Sequence, residues 1–386
     1  MIVFFVLMKG VKSFGKAVYF TSTFPYVILF ILLVRAAMEE GAWEGVKWYL
    51  RPRFSLLLNA GVWADAASQI FYSTGVCFGG TITLASYNRF RHNVLRDALI
   101  IALGNALTSV FSGFVVFSIL GFMATAQNTT VDKVATEGPG LTFVAYPQAV
   151  TLLPWAPFWS ALFFFMLVTL ALSTMFPTVE NVATALLDQY PRLLRPYKLW
   201  LTLAICLGLF ALGLPLTSGG GVYLLQMMDS YGVSYALLFL GLVEVGVVAW
   251  LYGAGRLVKN IQAMTGRYPG ALWRPLWTYG TPLLLAFAIV FQMLQLKPLT
   301  YGKVTFPLWS AFGGWALTLL SLAPIPLYAL YRILQTPGEP LKAMVVPSGN
   351  WGPALDKYRC AGDDPGDDDV FSGSNGTPIG AVVEVD

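Results

Sequence analysis

The chain has 386 residues, of which 56% are hydrophobic and only 11% are charged. In soluble domains about a quarter of all residues are charged. The composition of this chain therefore excludes a soluble enzyme, a disordered chain and a nucleic-acid-binding protein. A net charge of +4 is too small for a polyanion-binding surface, three cysteines make no disulfide framework, and the one histidine, His92, leaves little histidine-based chemistry. The remaining class is a polytopic helical membrane protein.

Hydrophobic runs that are long enough to cross a bilayer recur along the chain. Crossing takes about 20 apolar residues, and eight runs qualify: residues 18–37, 55–87, 97–126, 154–187, 197–214, 219–253, 275–295 and 306–333. Residues 1–8 are apolar but short, and they lack the features of a signal peptide. We therefore expect 1–8 to be the remnant of a membrane helix, 9–333 to be a transmembrane region and 334–386 to be a largely disordered cytoplasmic tail.

The placement of basic residues predicts the orientation of these spans. If the loop after residue 8 is cytoplasmic, most of the 24 Lys and Arg residues lie in cytoplasmic loops or in the tail. This orientation places the sequon Asn128-Thr129-Thr130 outside, so Asn128 is a predicted glycosylation site. The second sequon, at Asn375, falls on the cytoplasmic side and is expected to be unmodified.

The run 55–87 is longer than one membrane crossing, and Gly and hydroxyl residues cluster near its middle, from Ser73 to Gly80. An interruption there would free backbone groups, which are tolerated at membrane depth only where they line a cavity or bind something. Broken helices of this kind mark substrate and ion sites in secondary transporters. A tightly packed helix interface made of small residues explains the composition equally well.

The run 154–187 is also overlong, and Thr169, Ser173 and Thr174 place hydroxyl groups inside it. Hydroxyl and carbonyl oxygens suit an alkali cation, although such side chains commonly bond to carbonyls of their own helix. Ionisable groups at membrane depth are functional candidates. For Glu180 we instead favour a protonated carboxyl that satisfies the backbone of a broken helix, and Asp65 is left open.

Several short strings, in order and at fitting spacings, resemble the neurotransmitter–sodium symporters, the family of glycine, GABA, proline and monoamine transporters. The resemblance covers roughly residues 1–345. It implies an all-α polytopic membrane protein with the LeuT-type inverted-repeat fold, about eight transmembrane helices matching the family's helices five to twelve, and no match to the first four of twelve. The strings are Lys9-Gly10-Val11-Lys12, Thr23-Phe24-Pro25-Tyr26, Ala66-Ala67-Ser68-Gln69-Ile70-Phe71, Ala85-Ser86-Tyr87-Asn88, Thr108-Ser109, Ser112-Gly113-Phe114 and Tyr252-Gly253.

The resemblance also implies binding sites, residue by residue. The first sodium would contact Ser73 and Asn105, and the second would contact the Leu170 carbonyl, Ser173 and Thr174. Sodium is the only metal implied, and no organic cofactor is. The chloride positions are Gln69, Ser73, Asn105 and Ser109; the substrate-pocket positions are Tyr72, Thr74, Gly75, Phe78 as an aromatic lid, Ser173 and Thr178; the gate positions are Tyr87, Asp188 and Asp229.

The implied activity is symport of an amino acid or amino-acid-like neurotransmitter, driven by sodium. Ser109 stands where chloride-independent relatives carry a carboxylate, so a neutral serine predicts that chloride is required. Ser173 replaces the aspartate that is frequent in monoamine transporters, which favours a zwitterionic amino acid as the substrate. The expected surroundings are the lipid bilayer of the plasma membrane, with a cytoplasmic C-terminus and no nucleic-acid partner.

A second hypothesis comes from a different class. Because only about half of each sodium site is matched, the chain would be a truncated, non-transporting fragment or splice form that associates with full-length copies. A channel is a weaker alternative, since no filter string or pore-lining ring is present. An enzyme is excluded because no nucleophile, base and orienting group can be assembled from these residues.

Overall fold

The structure is a computed structural model, and it describes residues 1–8, 11–134, 140–295, 299–301, 304–335, 351–353 and 358. Helices make up almost all of the secondary structure in these ranges. The α-helices are α1 Ile2–Leu7, α2 Val11–Ala37, α3 Ala42–Leu50, α4 Ala60–Ser73, α5 Gly80–Ser86, α6 Val94–Ala126, α7 Val131–Val134, α8 Tyr146–Thr151, α9 Ala156–Gln189, α10 Pro191–Leu194, α11 Lys198–Gly213, α12 Gly221–Met227, α13 Ala236–Gly246, α14 Ala254–Thr265, α15 Trp273–Pro275, α16 Thr281–Leu294, α17 Leu308–Leu322 and α18 Pro324–Gln335.

Short turns of other geometry connect several of these helices. Two short antiparallel strands, β1 Thr300–Tyr301 and β2 Val304–Thr305, pair Thr300 with Thr305. The 3-10 turns are Phe54–Leu58, Arg195–Tyr197 and Leu214–Thr217, and the π-helical turns are Leu141–Ala145, Met228–Tyr235, Val247–Gly253 and Leu276–Gly280.

Among the described residues, 7 helical segments are long and apolar enough to cross a membrane. They coincide with seven of the predicted hydrophobic runs, and the all-α polytopic prediction is confirmed. The remaining run, 55–87, is divided between α4 and α5. The 7 segments are Gly15–Ala37, Val94–Ala126, Ala156–Gln189, Pro191–Thr217, Gly221–Thr265, Trp273–Leu294 and Leu308–Gln335.

The chain forms two compact units, of which the first comprises Met1–Asn88, Leu95–Gly241 and Leu284–Thr318. Its main core lies where α2, α6 and α9 meet, around Leu32, Val115 and Phe163. The backbone of α3 lies directly on α6, since a Cβ on Gly45 would stand 1.8 Å from the Phe117 carbonyl oxygen. A smaller cluster joins α1 to α9 and contains Leu7, Phe176 and Val179.

The second unit comprises Arg89–Val94, Leu242–Leu283 and the described residues from Leu319 onward. Two aromatic residues of the tail make contacts in it: Trp351 meets Tyr252 edge-on, and Tyr358 stacks on Phe90 with 4.5 Å between ring centroids. A largely disordered tail remains a prediction for the other residues of 334–386, most of which lie outside the described ranges, as do Lys9 and Gly10.

Candidate functional site

The first part of the candidate site is an interruption between α4 and α5. Helix α4 ends at Ser73 and α5 begins at Gly80, and three residues of the connection adopt left-handed backbone angles: Gly75 (φ +67°), Cys77 (φ +65°) and Gly79 (φ +77°). A residue with left-handed backbone angles cannot continue a right-handed helix, and glycine adopts such angles at the least energetic cost. The predicted interruption of run 55–87 is therefore present, and we call residues 74–79 the break.

The break brings together two residues that the sequence assigned to the first sodium and the chloride. The side-chain amide of Asn105, in the middle of α6, donates to the Ser73 hydroxyl at 2.8 Å. One turn further along α6, the Ser109 hydroxyl donates to the Asn105 carbonyl at 2.9 Å. Ser73, Asn105 and Ser109 thus form a contiguous polar set beside the end of α4. Gln69 instead lines a cleft, described below, on the same helix.

The second part of the candidate site is a single turn of α9. The Ser173 hydroxyl donates to the Leu170 carbonyl at 2.7 Å, and the Thr174 hydroxyl donates to the same oxygen at 3.3 Å. A hydroxyl that donates its proton keeps its oxygen lone pairs, so both side chains stay competent as cation ligands. The three positions assigned to the second sodium therefore present their oxygens within one turn. Thr178 bonds back in the same way, to the Thr174 carbonyl at 2.9 Å.

The aromatic positions of the predicted substrate pocket flank the break. Tyr72 and Phe78 meet edge to face with 6.3 Å between ring centroids, and both side chains are about half exposed. Thr74 turns its hydroxyl back to the Ile70 carbonyl at 2.8 Å. Of the pocket positions, Tyr72, Thr74, Gly75 and Phe78 lie in or beside the break, while Ser173 and Thr178 lie on α9.

A polar cleft of about 380 Å³ contains the predicted outer gate residue, Asp229. Asp229 lies in a π-helical turn, where Ser234 donates to its carbonyl at 3.1 Å. Asp65, whose role the sequence left open, lines the same cleft as Asp229. Its lining residues are Asp65, Ser68, Gln69, Phe71, Tyr72, Asp229, Ser234, Leu237, Leu238 and Gln292.

Comparison with known proteins decides the family. The pattern of the sodium:neurotransmitter symporter family matches residues 1–336. This chain belongs to that family. The resemblance of its short motifs is thereby confirmed, and the family and its named members are transporters rather than enzymes.

The alignments with individual relatives cover most of this chain but only part of each relative. It is 44% identical over 361 residues to the sodium- and chloride-dependent glycine transporter 2 of Xenopus laevis, covering 93% of the chain and 46% of that protein. It is 45% identical over 365 residues to glycine transporter 1 of the same organism, covering 93% and 58%. A neutral and basic amino acid transporter, B(0+), of Mus musculus is 40% identical over 361 residues, covering 92% and 57%. The chain therefore spans about half the length of the curated relatives it matches.

The interpretation of Glu180 as a protonated carboxyl that satisfies the backbone of the break is wrong. Its carboxylate, which is 2% exposed, accepts from the Tyr87 hydroxyl at 3.0 Å and lies 3.4 Å from the Lys198 ammonium group. Tyr87 also meets the Thr184 hydroxyl at 3.0 Å. Because Lys198 supplies a cation, the carboxylate is paired and does not serve the backbone of the break. The predicted inner gate residue Tyr87 is thus bonded to α9, on which Asp188 also lies.

Sequence reasoning missed Asn181, which performs the role we had given to Glu180. Its amide nitrogen donates to the Phe78 carbonyl at 2.8 Å, and its amide oxygen accepts from the Thr83 hydroxyl at 2.5 Å. An uncharged polar residue within an apolar span was the available signal. Because Glu180 is ionisable, we assigned the role to it and not to the next residue.

The predicted glycosylation site, Asn128, is exposed in the turn that follows α6. Its backbone is left-handed (φ +51°), and its amide bonds to the Thr125 carbonyl at 3.1 Å. Asparagine tolerates this conformation after a helix better than most residues. The geometry leaves the side chain accessible, and its modification remains a prediction.

Proposed function

We propose that this chain supplies part of the ion and substrate sites of a sodium- and chloride-coupled amino-acid symporter. The observation that carries the proposal is the 2.8 Å hydrogen bond from Asn105 to Ser73 at an interrupted membrane helix. The proposal is also supported by the 44% and 45% identity of the chain to two glycine transporters, and glycine is therefore the first substrate to test.

Coupling would begin with sodium. At the first site the Ser73 hydroxyl and the Asn105 amide oxygen are ligands, and at the second the ligands are the Leu170 carbonyl, Ser173 and Thr174. Sodium would compete with the long Thr174 hydrogen bond for the Leu170 carbonyl oxygen. Binding would favour one arrangement of the helices, and only this difference in affinity between arrangements can drive transport. Substrate would then complete the site, and rocking about the break would alternate access.

Chloride would supply a negative charge that the protein lacks at this site. Gln69, Ser73, Asn105 and Ser109 are its proposed ligands, and all four are neutral. Two sodium ions with no fixed carboxylate beside the first would leave uncompensated positive charge in a low-dielectric setting. An anion that travels with sodium removes this imbalance.

The substrate would lie between the break and α9. Tyr72 and Phe78 would contact its apolar part, while Thr74, Gly75, Ser173 and Thr178 would line the remaining wall. A neutral Ser173 provides no counter-ion for a lone amine, which favours a zwitterion. Tyr87 and Asp188 would close the cytoplasmic side, and Asp229 would close the outer side, in a plasma-membrane protein with a cytoplasmic C-terminus.

Uptake of radiolabelled glycine tests the function directly. The chain would be expressed from its complete transcript, and uptake would be measured in sodium chloride, choline chloride and sodium gluconate. We expect saturable uptake that requires both ions, and uptake unchanged by the removal of sodium would overturn the proposal.

The Ser109→Glu variant should take up glycine equally well in sodium gluconate and in sodium chloride, because the fixed carboxylate replaces chloride. Ser118→Ala is the matched control on α6, since that hydroxyl only donates to the Phe114 carbonyl at 2.7 Å. A Ser109→Glu variant that still requires chloride would contradict the chloride assignment while leaving sodium coupling standing.

A second candidate function is a subunit that does not transport by itself. It is motivated by the match to only 46% to 58% of the relatives' lengths. The 386 residues expressed alone would then show no sodium-dependent uptake, and their co-expression with a full-length glycine transporter would change its maximal rate and allow co-purification. Saturable glycine uptake by the 386 residues alone would exclude this candidate.

A further inference from the structure

The break leaves the backbone carbonyl of Phe78 without a helical partner. In a continuous helix the Phe78 carbonyl would accept from the amide of Ile82, four residues on. In α5, however, the first bond runs from the Thr83 amide to the Gly79 carbonyl, at 2.9 Å. The Phe78 carbonyl therefore lies just outside the helix. A backbone group without a partner is costly at membrane depth.

Asn181 of α9 satisfies this carbonyl. Its amide nitrogen donates to the Phe78 carbonyl at 2.8 Å, while its amide oxygen accepts from the buried hydroxyl of Thr83 at 2.5 Å. One side chain from a neighbouring helix therefore holds both Phe78, in the break, and Thr83, in the first turn of α5.

The amide of Asn181 also fits closely against the break. A Cβ on Gly79 would stand 2.8 Å from its nitrogen, and the backbone of Gly79 is left-handed as well. Glycine at this position thus serves two needs at once, the turn into α5 and the close approach of Asn181. A side chain that merely filled space would not require this fit at the residue next to the lid.

Asn181 lies on the helix that presents the second sodium positions. It follows Thr174 by seven residues, which is about two helical turns and returns to the same face of α9. The intervening helix runs without interruption from Ala156 to Gln189, and Pro177 inside it removes the amide that would bond to the Ser173 carbonyl. A displacement of the turn at Leu170–Thr174 would reach Asn181 along this helix, with the weakened turn at Pro177 between them, and Asn181 would pass it to Phe78.

We propose that Asn181 is a positioning residue that ties the lid residue Phe78 and the half-helix α5 to α9, so that sodium at α9 sets the geometry of the substrate pocket. This inference rests on the proposed function for its consequences in transport. The tie itself can be tested without any transport.

Cys77 is a natural reporter because it lies inside the break, is half buried, and is one of three cysteines. In a Cys206→Ser, Cys360→Ser background, the rate at which a charged methanethiosulfonate labels Cys77 would be measured in membranes containing the expressed protein. We expect Asn181→Ala to raise this rate about fivefold, the effect of losing roughly one hydrogen bond. Gln189→Ala, an exposed polar residue on the last turn of α9, is the matched control and should leave the rate unchanged.

Two further variants separate the two bonds. Asn181→Asp keeps an acceptor for Thr83 but loses the donor to the Phe78 carbonyl, whereas Thr83→Val removes only the other bond. We expect Asn181→Asp to reproduce most of the labelling increase and Thr83→Val to reproduce little of it. In the transporting protein, Asn181→Ala should raise the glycine KM about fivefold and change the maximal rate per surface molecule less than twofold.

The outcomes distinguish this proposal from the proposed function. An unchanged Cys77 rate in Asn181→Ala would overturn the tie, whatever uptake shows. Lower surface expression with an unchanged KM and an unchanged Cys77 rate would show a purely structural role and would also overturn it. A raised rate in a protein without sodium-dependent uptake would support the tie and overturn the proposed function instead.

Discussion

The break between α4 and α5 and the turn of α9 that contains Leu170, Ser173 and Thr174, here called the hydroxyl turn, satisfy their polar groups in different ways. In the turn, Ser173 and Thr174 both donate to the carbonyl of Leu170, so its bonds are local. At the break, Ser73 receives a hydrogen bond from Asn105 on α6, and Phe78 receives one from Asn181 on α9. The turn of α9 is assembled by bonds within its own helix, whereas the break adds bonds from neighbouring helices to the local bonds that Ser73 and Thr74 make to the Ile70 carbonyl.

This difference indicates which part of the site can change shape. A turn of continuous helix keeps its geometry when the helix moves as a body. The geometry of the break depends also on α6 and α9, because side chains of those helices supply hydrogen bonds to Ser73 and to the Phe78 carbonyl. Conformational change in transporters of this class should therefore appear first at the break, with the hydroxyl turn acting as a fixed reference.

The largest effect is expected at the bond that joins the break to α6. Asn105→Leu removes an oxygen ligand of the proposed first sodium site and leaves Ser73 without its donor. Losing a charge-assisted interaction of this kind corresponds to about a 100-fold decrease, which we expect in the sodium-dependent rate of uptake at limiting sodium. Ser118→Ala on the same helix should leave it unchanged. A decrease below threefold in Asn105→Leu would show that α6 is not part of the sodium site.

A smaller effect is expected where the break meets α9. Gly79→Ala combines a left-handed backbone (φ +77°) with a methyl group pressed against Asn181, while Gly266→Ala, at the end of α14, has the same backbone problem (φ +67°) and nothing within 4 Å. Left-handed strain costs about 1–2 kcal/mol in both, so both should lower the melting temperature in detergent. Only Gly79→Ala should raise the glycine KM, by about tenfold.

A double-mutant cycle checks the cause of that increase. If displacement of Asn181 is responsible, Gly79→Ala and Asn181→Ala should not be additive, since each removes the same contact. Additive effects on KM would mean that the methyl group acts on the pocket by another route. The role of Asn181 at the break would then lose its support.

The local features of both regions could be predicted from the sequence. Spans and the interruption follow from composition over many residues: apolar runs of sufficient length, and Gly with hydroxyl residues clustered between Ser73 and Gly80. Back-bonding on α9 was foreseeable for the same reason, because its partners lie three or four residues away. These are local properties, and local patterns predict them.

The partners of single polar residues did not follow from such patterns. Glu180 pairs with Lys198 across the turn that joins α9 to α11, and Asn181 reaches the break because of how α9 is rotated against α5. Adjacent residues on a helix point about 100° apart, so a one-residue difference selects a different neighbour. The rotation of α9 depends on its packing against several helices, of which the contacts of Phe176 and Val179 with Leu7 of α1 are one part, and no motif records such packing.

The smallest effect is expected in the hydroxyl turn, where it tests whether a hydroxyl that bonds to its own helix also binds sodium. Thr169 and Thr174 are both threonines of α9 whose hydroxyls bond back to their own helix, at 2.7 Å and 3.3 Å, but only Thr174 is a proposed sodium ligand. Thr174→Val should raise the sodium concentration for half-maximal uptake about fivefold, because one ligand oxygen is lost. Thr169→Val, which removes a hydroxyl five residues earlier on the same helix, should not. Equal shifts in both variants would mean that these hydroxyls support the helix alone, and the second sodium would have to bind elsewhere.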